Sequence, residues 1–441
     1  MLTREEAMQL AEKALKLSTF PDCRITIDTS EQAYTRFANN GITTAALGLR
    51  FTANIEATRD GSTGSASTND IDDASLAAAV KRAEEIAALA PPSAEWMPDP
   101  GKQEFRETND YDEKTAQARS PEMIPHIKTI IDAARSKSLV AAGLVERTHR
   151  VTAIANKRGL RAFHRGADSG LTTTIRAADG SSSGWAGHPS TKFSEIDSAK
   201  VAADAIEKCL RWKNPKRLEP GNYTVVLDAT ATGDLVRLMS NAFNARAAEE
   251  GRSFLSKRGG GTLLGEKLFP EFITLRSDPF DPRLPSSPWT GDLLPTRPMT
   301  WIEKGVVKNL SYNDYWANKT GKTPTPAPGN TILEGSNTSQ ADLIASVKRG
   351  ILVTHFWYIR GVNTQTLQQT GLTRDGLFLI EDGKVTDALV NFRFNESPVR
   401  LLQNTKALGR SIRIRGLEGG IMIAPPLIAE NFPFTSISEA I

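Results

Sequence analysis

Cysteine is nearly absent from this chain: 441 residues contain two, Cys23 and Cys209. Two thiols cannot build the disulfide framework on which small secreted folds depend. Both lie in apolar-periodic stretches, where a thiol behaves as a small buried hydrophobe. Long hydrophobic runs are missing as well, and nothing approaches the ~18 consecutive apolar residues of a membrane span. The opening MLTREEAMQLAEKALKL is charged and amphipathic, without the continuous apolar stretch of a secretory leader. Charge of one sign is not in excess. A net charge of +3 is too small to argue for nucleic acid. A cytoplasmic protein with no membrane segment and no nucleic-acid partner is expected. Histidine is scarce too: there are five, and no two are closer in sequence than His149 and His164. A helical zinc site needs two histidines about one turn apart, and no such pair exists.

What is present is an ordinary globular balance, 39% hydrophobic and 24% charged, enough to bury cores in two or three domains. The first half contains a weak duplication. One copy runs Ala38-Asn39-Asn40-Gly41-Ile42, a β-rich stretch to Ile55, the turn Asp60-Gly61-Ser62, Gly64, and a helix opening at Asp70-Ile71-Asp72. The other runs Ala155-Asn156-Lys157-Arg158-Gly159-Leu160, a β-rich stretch to Ile175, the turn Asp179-Gly180-Ser181, Gly184, and a helix opening at Glu195-Ile196-Asp197. Asp-Gly suits tight hairpins because glycine supplies φ > 0. Acidic residues cap helix N-termini and complement the dipole. Units of about 33–90 and 151–210 are predicted, each a β-meander followed by an amphipathic helix. They pack as one α+β domain over 1–217 with a long antiparallel sheet. A Pro-rich linker from Pro91 to Pro100 and a helix over about 121–137, apolar at Ile124, Ile127, Ile130, Ile131 and Ala134, lie between them.

After a boundary at 215–221, residues 218–441 read as a mostly β domain with a few helices. Hairpins are predicted around Gly305 and Gly383, with strands at 272–275, 351–358, 411–415 and 420–424. An amphipathic helix is predicted over 233–250, after the strand 223–227. Residues 311–335, rich in proline and glycine, read as a long loop of the kind that forms a lid or packs on the surface.

The order of LEPGNYTVVLD at 218–228, Arg252-Ser253-Phe254, Pro298-Met299-Thr300, Ile302-Glu303-Lys304-Gly305, Ala327-Pro328-Gly329-Asn330 and GLFLIEDGK at 376–384, together with the duplicated first half, resembles the TldD/PmbA peptidase family. In the family's catalytic branch the helix after this strand carries His-Glu-x-x-x-His. The two histidines and a later cysteine hold zinc, and the glutamate is the general base. Here those turns hold Leu238, Met239, Ser240, Asn241, Phe243 and Asn244, and no cysteine follows Cys209. The resemblance is therefore to the PmbA (TldE)-like branch. It implies no zinc in this chain, a homologous TldD-like zinc subunit as partner, and unfolded or modified peptides as substrate. Two other readings stay open: a stand-alone homodimer that binds peptide without hydrolysing it, and a hydrolase with a relocated site near His355 or His188.

Among candidate site residues, His355, Trp357, Tyr358 and Arg360 form the densest aromatic cluster. An extended peptide could pack on the aromatics while Arg360 meets a carboxylate; a buried strand explains the same residues. Met239, Ser240, Asn241 and Asn244 mark the degenerate metal-helix positions. Glu249 and Glu250 read as a solvated helix face, and Arg258-Gly259-Gly260-Gly261 as a loop without the Gly-Lys-Ser/Thr ending of a phosphate-binding loop.

Overall fold

Gly61 and Gly180 take positive φ, 79° and 76°, and each lies in the turn of a hairpin between two strands. The computed structural model describes residues 1–416 and 420–439. Its first half contains α1 (Arg4–Leu17), β1 (Asp22–Ala38), β2 (Gly41–Arg59), β3 (Ser62–Thr68), α2 (Asp73–Leu89), α3 (Glu113–Gln117), α4 (Ser120–Arg135), β4 (Leu139–Asn156), β5 (Arg161–Ala177), β6 (Ser183–Ser190) and α5 (Ser198–Arg211). The repeated unit is helix, three strands, helix. It begins earlier than the repeated motifs, because the leading helix and long first strand share only an apolar pattern.

The six strands form one antiparallel sheet in the order β3-β2-β1-β4-β5-β6. The units join at their first strands, from Arg24↔Asn156 to Phe37↔Gly143. Helices α1 and α2 cover Ile25, Ile27, Ala53 and Ile55. Helices α4 and α5 cover Phe37, Val145, Leu171 and Ile175. The acidic openings act as caps: Asp72 accepts from Ser75 N–H at 2.9 Å and Asp197 from Lys200 N–H at 2.9 Å. The glycine repeated after each turn has a packing reason. A Cβ on Gly64 would sit 2.1 Å from Ala83 O, and one on Gly184 would sit 2.3 Å from Ala205 O, so each closing helix rests directly on its strand.

The second half contains β7 (Gly221–Leu227), α6 (Ala229–Val236), α7 (Ala245–Glu249), β8 (Leu275–Ser277), β9 (Met299–Glu303), β10 (Val306–Val307), α8 (Asp314–Thr320), β11 (Ile332–Leu333), α9 (Gln340–Ala345), β12 (Arg349–Val353) and β13 (Phe356–Asn363). It continues through β14 (Gln368–Thr373), β15 (Leu377–Glu381), β16 (Lys384–Ala388), β17 (Phe392–Glu396), α10 (Pro398–Gln403), β18 (Thr405–Leu408), β19 (Ile412–Arg415), β20 (Ile421–Ala424) and β21 (Leu427–Ile437). A nine-stranded sheet runs β13-β14-β17-β21-β7-β12-β15-β16, with β18 beside β21, and a six-stranded sheet runs β10-β9-β8-β11-β20-β19. Val225, Leu227, Met239, Phe243, Trp301, Ile351, Phe394 and Phe432 belong to one buried cluster of this half. The fold is α+β throughout. Among the described residues no helix is long and apolar enough to cross a membrane.

Four predicted segments differ. The helix over 233–250 is three pieces: α6, a 3-10 segment Arg237–Phe243, and α7. Ser311 interrupts it by pairing with the turn, donating to Phe243 O at 2.7 Å and accepting from Ala245 N–H at 2.9 Å. The strand over 351–358 breaks at Thr354-His355 into β12 and β13. The strand at 272–275 is displaced to β8, leaving Phe272 exposed. The loop over 311–335 holds α8, started by the Asn313 cap and stopped by left-handed Gly321.

The two halves are tied by polar contacts. Arg413 and Arg415 meet Asp168, and Arg415 meets Glu146. Trp212 Nε1 donates to Leu389 O at 2.9 Å.

Candidate functional site

Strand β7 lies inside the nine-stranded sheet and delivers the chain to Asp228, which caps α6 by accepting from Thr230 N–H at 3.2 Å. Helix α6 packs closely on β19 and β20, since a Cβ on Gly233 would fall 2.4 Å from Ile414 Cδ1. The following turn is filled with core and capping groups. Met239 and Phe243 are fully buried. Ser240 Oγ shares a hydrogen bond with Thr331 Oγ1 at 2.5 Å. Asn244 Oδ1 accepts from Ala247 N–H at 2.8 Å and starts α7, and Asn241 is exposed.

Glu249 does not lie on a solvated face. It accepts from Tyr312 Oη at 2.7 Å and Trp316 Nε1 at 2.6 Å, anchoring α8 against α7. Burial, with that carboxylate, pushes the Tyr312 phenol up to about 12. Glu250 pairs with Arg246 and Arg252.

The aromatic segment divides at the strand break. His355 is fully buried against Trp185, with ring centroids 5.1 Å apart. Neither ring nitrogen has a hydrogen-bond partner, and Nε2 stands 3.5 Å from Asp375 Oδ2. Burial, opposed by Asp375, pushes its pKa down to about 4, so the ring is neutral at neutral pH. Ser183 donates to the other Asp375 oxygen. Aspartate thus stands between serine and histidine, whereas nucleophilic activation needs histidine between serine and carboxylate. His188 accepts from Asp197 N–H at 3.2 Å beside the start of α5.

Trp357, Tyr358 and Arg360 lie on β13, an end strand of the nine-stranded sheet, with no strand on its outer side among the described residues. A register shift between Trp357 and Arg360 and a φ of 55° at Tyr358 turn the side chains outward. Tyr358 is 53% exposed, and the Arg360 guanidinium stacks 4.1 Å from its ring centroid. Arg374 lies 5.1 Å from the Trp357 ring. The β13–β14 hairpin flanks the 229–251 segment: Phe356 N–H donates to Asp234 Oδ2 at 3.1 Å, and Gln365 Nε2 donates to Gly251 O at 2.7 Å.

A groove of about 750 Å³ on the uncovered face of the first sheet was not foreseen. Its lining includes Gln32, Tyr34, Glu146, Thr172, Thr174 and Trp185. The signal was the alternation of polar side chains along β1 and β5, legible only once both strands share a face. Trp185 links this groove to His355.

Three consecutive family models match: PmbA/TldA metallopeptidase domain 1 over residues 24–87, the central domain over 98–211 and the C-terminal domain over 220–436. The chain belongs to the PmbA/TldD family. TldE from Thermococcus kodakarensis superposes with a TM-score of 0.82 at 22% identity, covering 97% of this chain and 99% of that one. A candidate modulator of a DNA gyrase from Thermotoga maritima superposes with a TM-score of 0.85 at 18% identity, covering 97% and 99%. At such identities these likenesses show the fold. An uncharacterized protein of Methanocaldococcus jannaschii is 31% identical over 138 residues. That match spans about a third of the relative's length, 32%, and 31% of this chain.

In the PmbA/TldD frame, the 3-10 segment can be tested against zinc. A catalytic zinc takes three imidazole, thiolate or carboxylate ligands and keeps a water position open. Met239 and Phe243 are closed in the core, Ser240 is occupied by Thr331, and Asn244 is a cap, so the residues present do not fit the ion. Among the described residues no group of three or more His, Cys, Asp and Glu side chains converges on one point. Cys23 and Cys209 are buried elsewhere, and burial pushes both thiols up.

Proposed function

We propose that this chain is the metal-free, TldE-like subunit of a PmbA/TldD-type peptidase. It holds unfolded or modified peptide while a homologous zinc-bearing subunit carries out hydrolysis. The observation that supports this reading is the segment after β7. The family scaffold is kept on both sides of it, while core packing and helix caps take the positions that would present ligands. The edge of β13 supplies a peptide-holding surface. An extended chain can pack on the outward aromatic surface of β13, with Trp357 and Tyr358 as apolar contacts. Apolar contact of this kind reads side-chain character more than exact sequence, which suits unfolded substrates.

Burial of His355 and the serine–aspartate–histidine order count against a relocated hydrolase. The aromatic surface on β13 also suits a second reading, a homodimer that binds peptide without cleaving it. Purification from the native host, with zinc analysis and a casein cleavage assay, separates these readings. The leading one expects zinc and activity only in a fraction containing an equimolar homologue with the histidine motif. Stoichiometric zinc and cleavage by the lone chain would refute it, and inactive self-association without such a homologue would favour the second.

A further inference from the structure

A cavity of about 610 Å³ lies where the start of α1, the stretch 105–111 and residues of β4 and β5 meet. That volume falls within the range of small-molecule sites. The cavity involves neither β13 nor the segment after β7. Leu2, Val151 and Phe163 supply its apolar wall.

Four exposed charged side chains line the same cavity: Arg4, Glu5, Glu107 and Arg165. Among the described residues none of the four forms an ion pair within the chain. The two cations are held by aromatic rings instead. The Arg4 guanidinium lies 5.6 Å from the Phe163 ring centroid, and that of Arg165 lies 3.8 Å from the Tyr111 centroid. A guanidinium over a ring face keeps its N–H edge available for a carboxylate. Phe163 and Arg165 are alternate residues of β5, opposite Ala153 and Val151 of β4. They therefore leave the sheet on one face, roughly 7 Å apart. Two cations gathered on one wall repel each other unless an anion lies with them.

Other charges close by in the chain have internal partners. Asp110 meets His164 at 3.2 Å, Glu12 meets Arg161 at 3.1 Å, and Glu113 accepts from Tyr111 Oη at 2.7 Å. At the start of α4, the leading helix of the other unit, Arg119 and Arg147 share the Glu31 carboxylate. No carboxylate of the chain serves Arg4 and Arg165 in that way. The cavity wall is also incomplete in its hydrogen bonding. Thr108 Oγ1 and His149 Nε2 are shielded from solvent and have no partner among the described residues.

We propose that this cavity binds a small zwitterion of dipeptide size with an apolar side chain. Its carboxylate lies on Arg4 and Arg165, its ammonium on Glu5 and Glu107, and its side chain against Val151 and Phe163. A guanidinium takes a carboxylate through paired N–H groups, which fixes orientation as well as charge. Unpaired groups of both signs favour a ligand carrying both charges over a simple anion or cation. The proposal stands apart from the peptide-holding role of β13, because the two surfaces share no residue.

Isothermal titration calorimetry of the free dipeptide Ala-Leu into the full chain at low salt should give a Kd on the order of 0.1–1 mM. N-acetyl-Ala-Leu lacks the ammonium and Ala-Leu amide lacks the carboxylate. Each should bind about tenfold more weakly, and the Arg165→Ala and Glu107→Gln variants should weaken Ala-Leu by about the same factor. Both side chains are exposed, so the melting curves should not move, and the capped dipeptides probe the same contacts in the unaltered chain. Trp357→Ala should leave the titration unchanged. No binding at millimolar dipeptide, or capped forms that bind as well as the free one, would overturn the proposal. So would binding that is lost in Trp357→Ala and kept in Arg165→Ala.

Discussion

Asp234 Oδ2 accepts the backbone N–H of Phe356 at 3.1 Å, fastening the helix after β7 to the first residue of β13, an end strand of its sheet among the described residues. Both residues are almost fully buried, Asp234 at 2% and Phe356 at 0% exposure. A donor left unpaired at such a place costs about 1–3 kcal/mol. Asp234→Ala should lose at least that in urea denaturation, and Asp234→Asn, which keeps an acceptor, should lose less.

The peptide surface is expected to depend on the exposed half of the aromatic segment. Trp357→Ala and Tyr358→Ala should each weaken binding of an unfolded peptide about tenfold, the order of ~1.4 kcal/mol for an aromatic anchor. His355→Gln should leave that affinity unchanged. Fluorescence anisotropy of a labelled casein fragment measures all three. Equal losses at all three positions would mean that the fold, rather than the edge, had been disturbed.

His355 predicts a pH dependence of stability. Its pKa is held at about 4 in the folded chain, against about 6.5 when unfolded. Between these values the unfolded state binds a proton that the folded state refuses, so stability falls as pH falls through this window. The slope approaches about 1.4 kcal/mol per pH unit for one proton. Chemical denaturation of the His355→Gln variant between pH 6.5 and 4 should show a slope smaller by about one proton.

Asp168 joins the halves by holding Arg413 and Arg415, which are 12% and 22% exposed. Removing one partner from a buried charge pair costs about 3–5 kcal/mol, because the remaining charge stays desolvated. Asp168→Ala should be destabilised by this order in guanidinium unfolding. A second transition is the expected sign that the halves have uncoupled.

Glu249 holds α8 through Tyr312 and Trp316. Glu249→Ala should speed limited proteolysis within residues 312–330. The same substitution should bring the Tyr312 phenol down from about 12, read by absorbance titration near 295 nm. Unchanged cleavage would show that other contacts hold the helix.

The repeated Asp-Gly turns, the glycines before each closing helix and the acidic caps were legible because each acts within a few residues of itself. A turn needs its glycine and a helix needs its cap whatever surrounds them. The missing histidines were legible for the same reason, since ligand spacing is a local property. Other features depended on distant partners. The helix over 233–250 breaks because Ser311, far along the chain, pairs with Phe243 and Ala245. The strand over 351–358 breaks where His355 turns inward beside Asp375 and Trp185.

By itself the sequence determined the class of the protein: α+β, with a duplicated first half and family motifs whose metal-ligand positions carry other chemistry. Those are matters of pattern and residue type. Only the tertiary structure decided which residues are available. His355 and Tyr358 stand three positions apart, yet one is sealed at a junction between halves and the other is 53% exposed on β13. The physical reason is that burial and strand pairing are set by segments far apart in the chain.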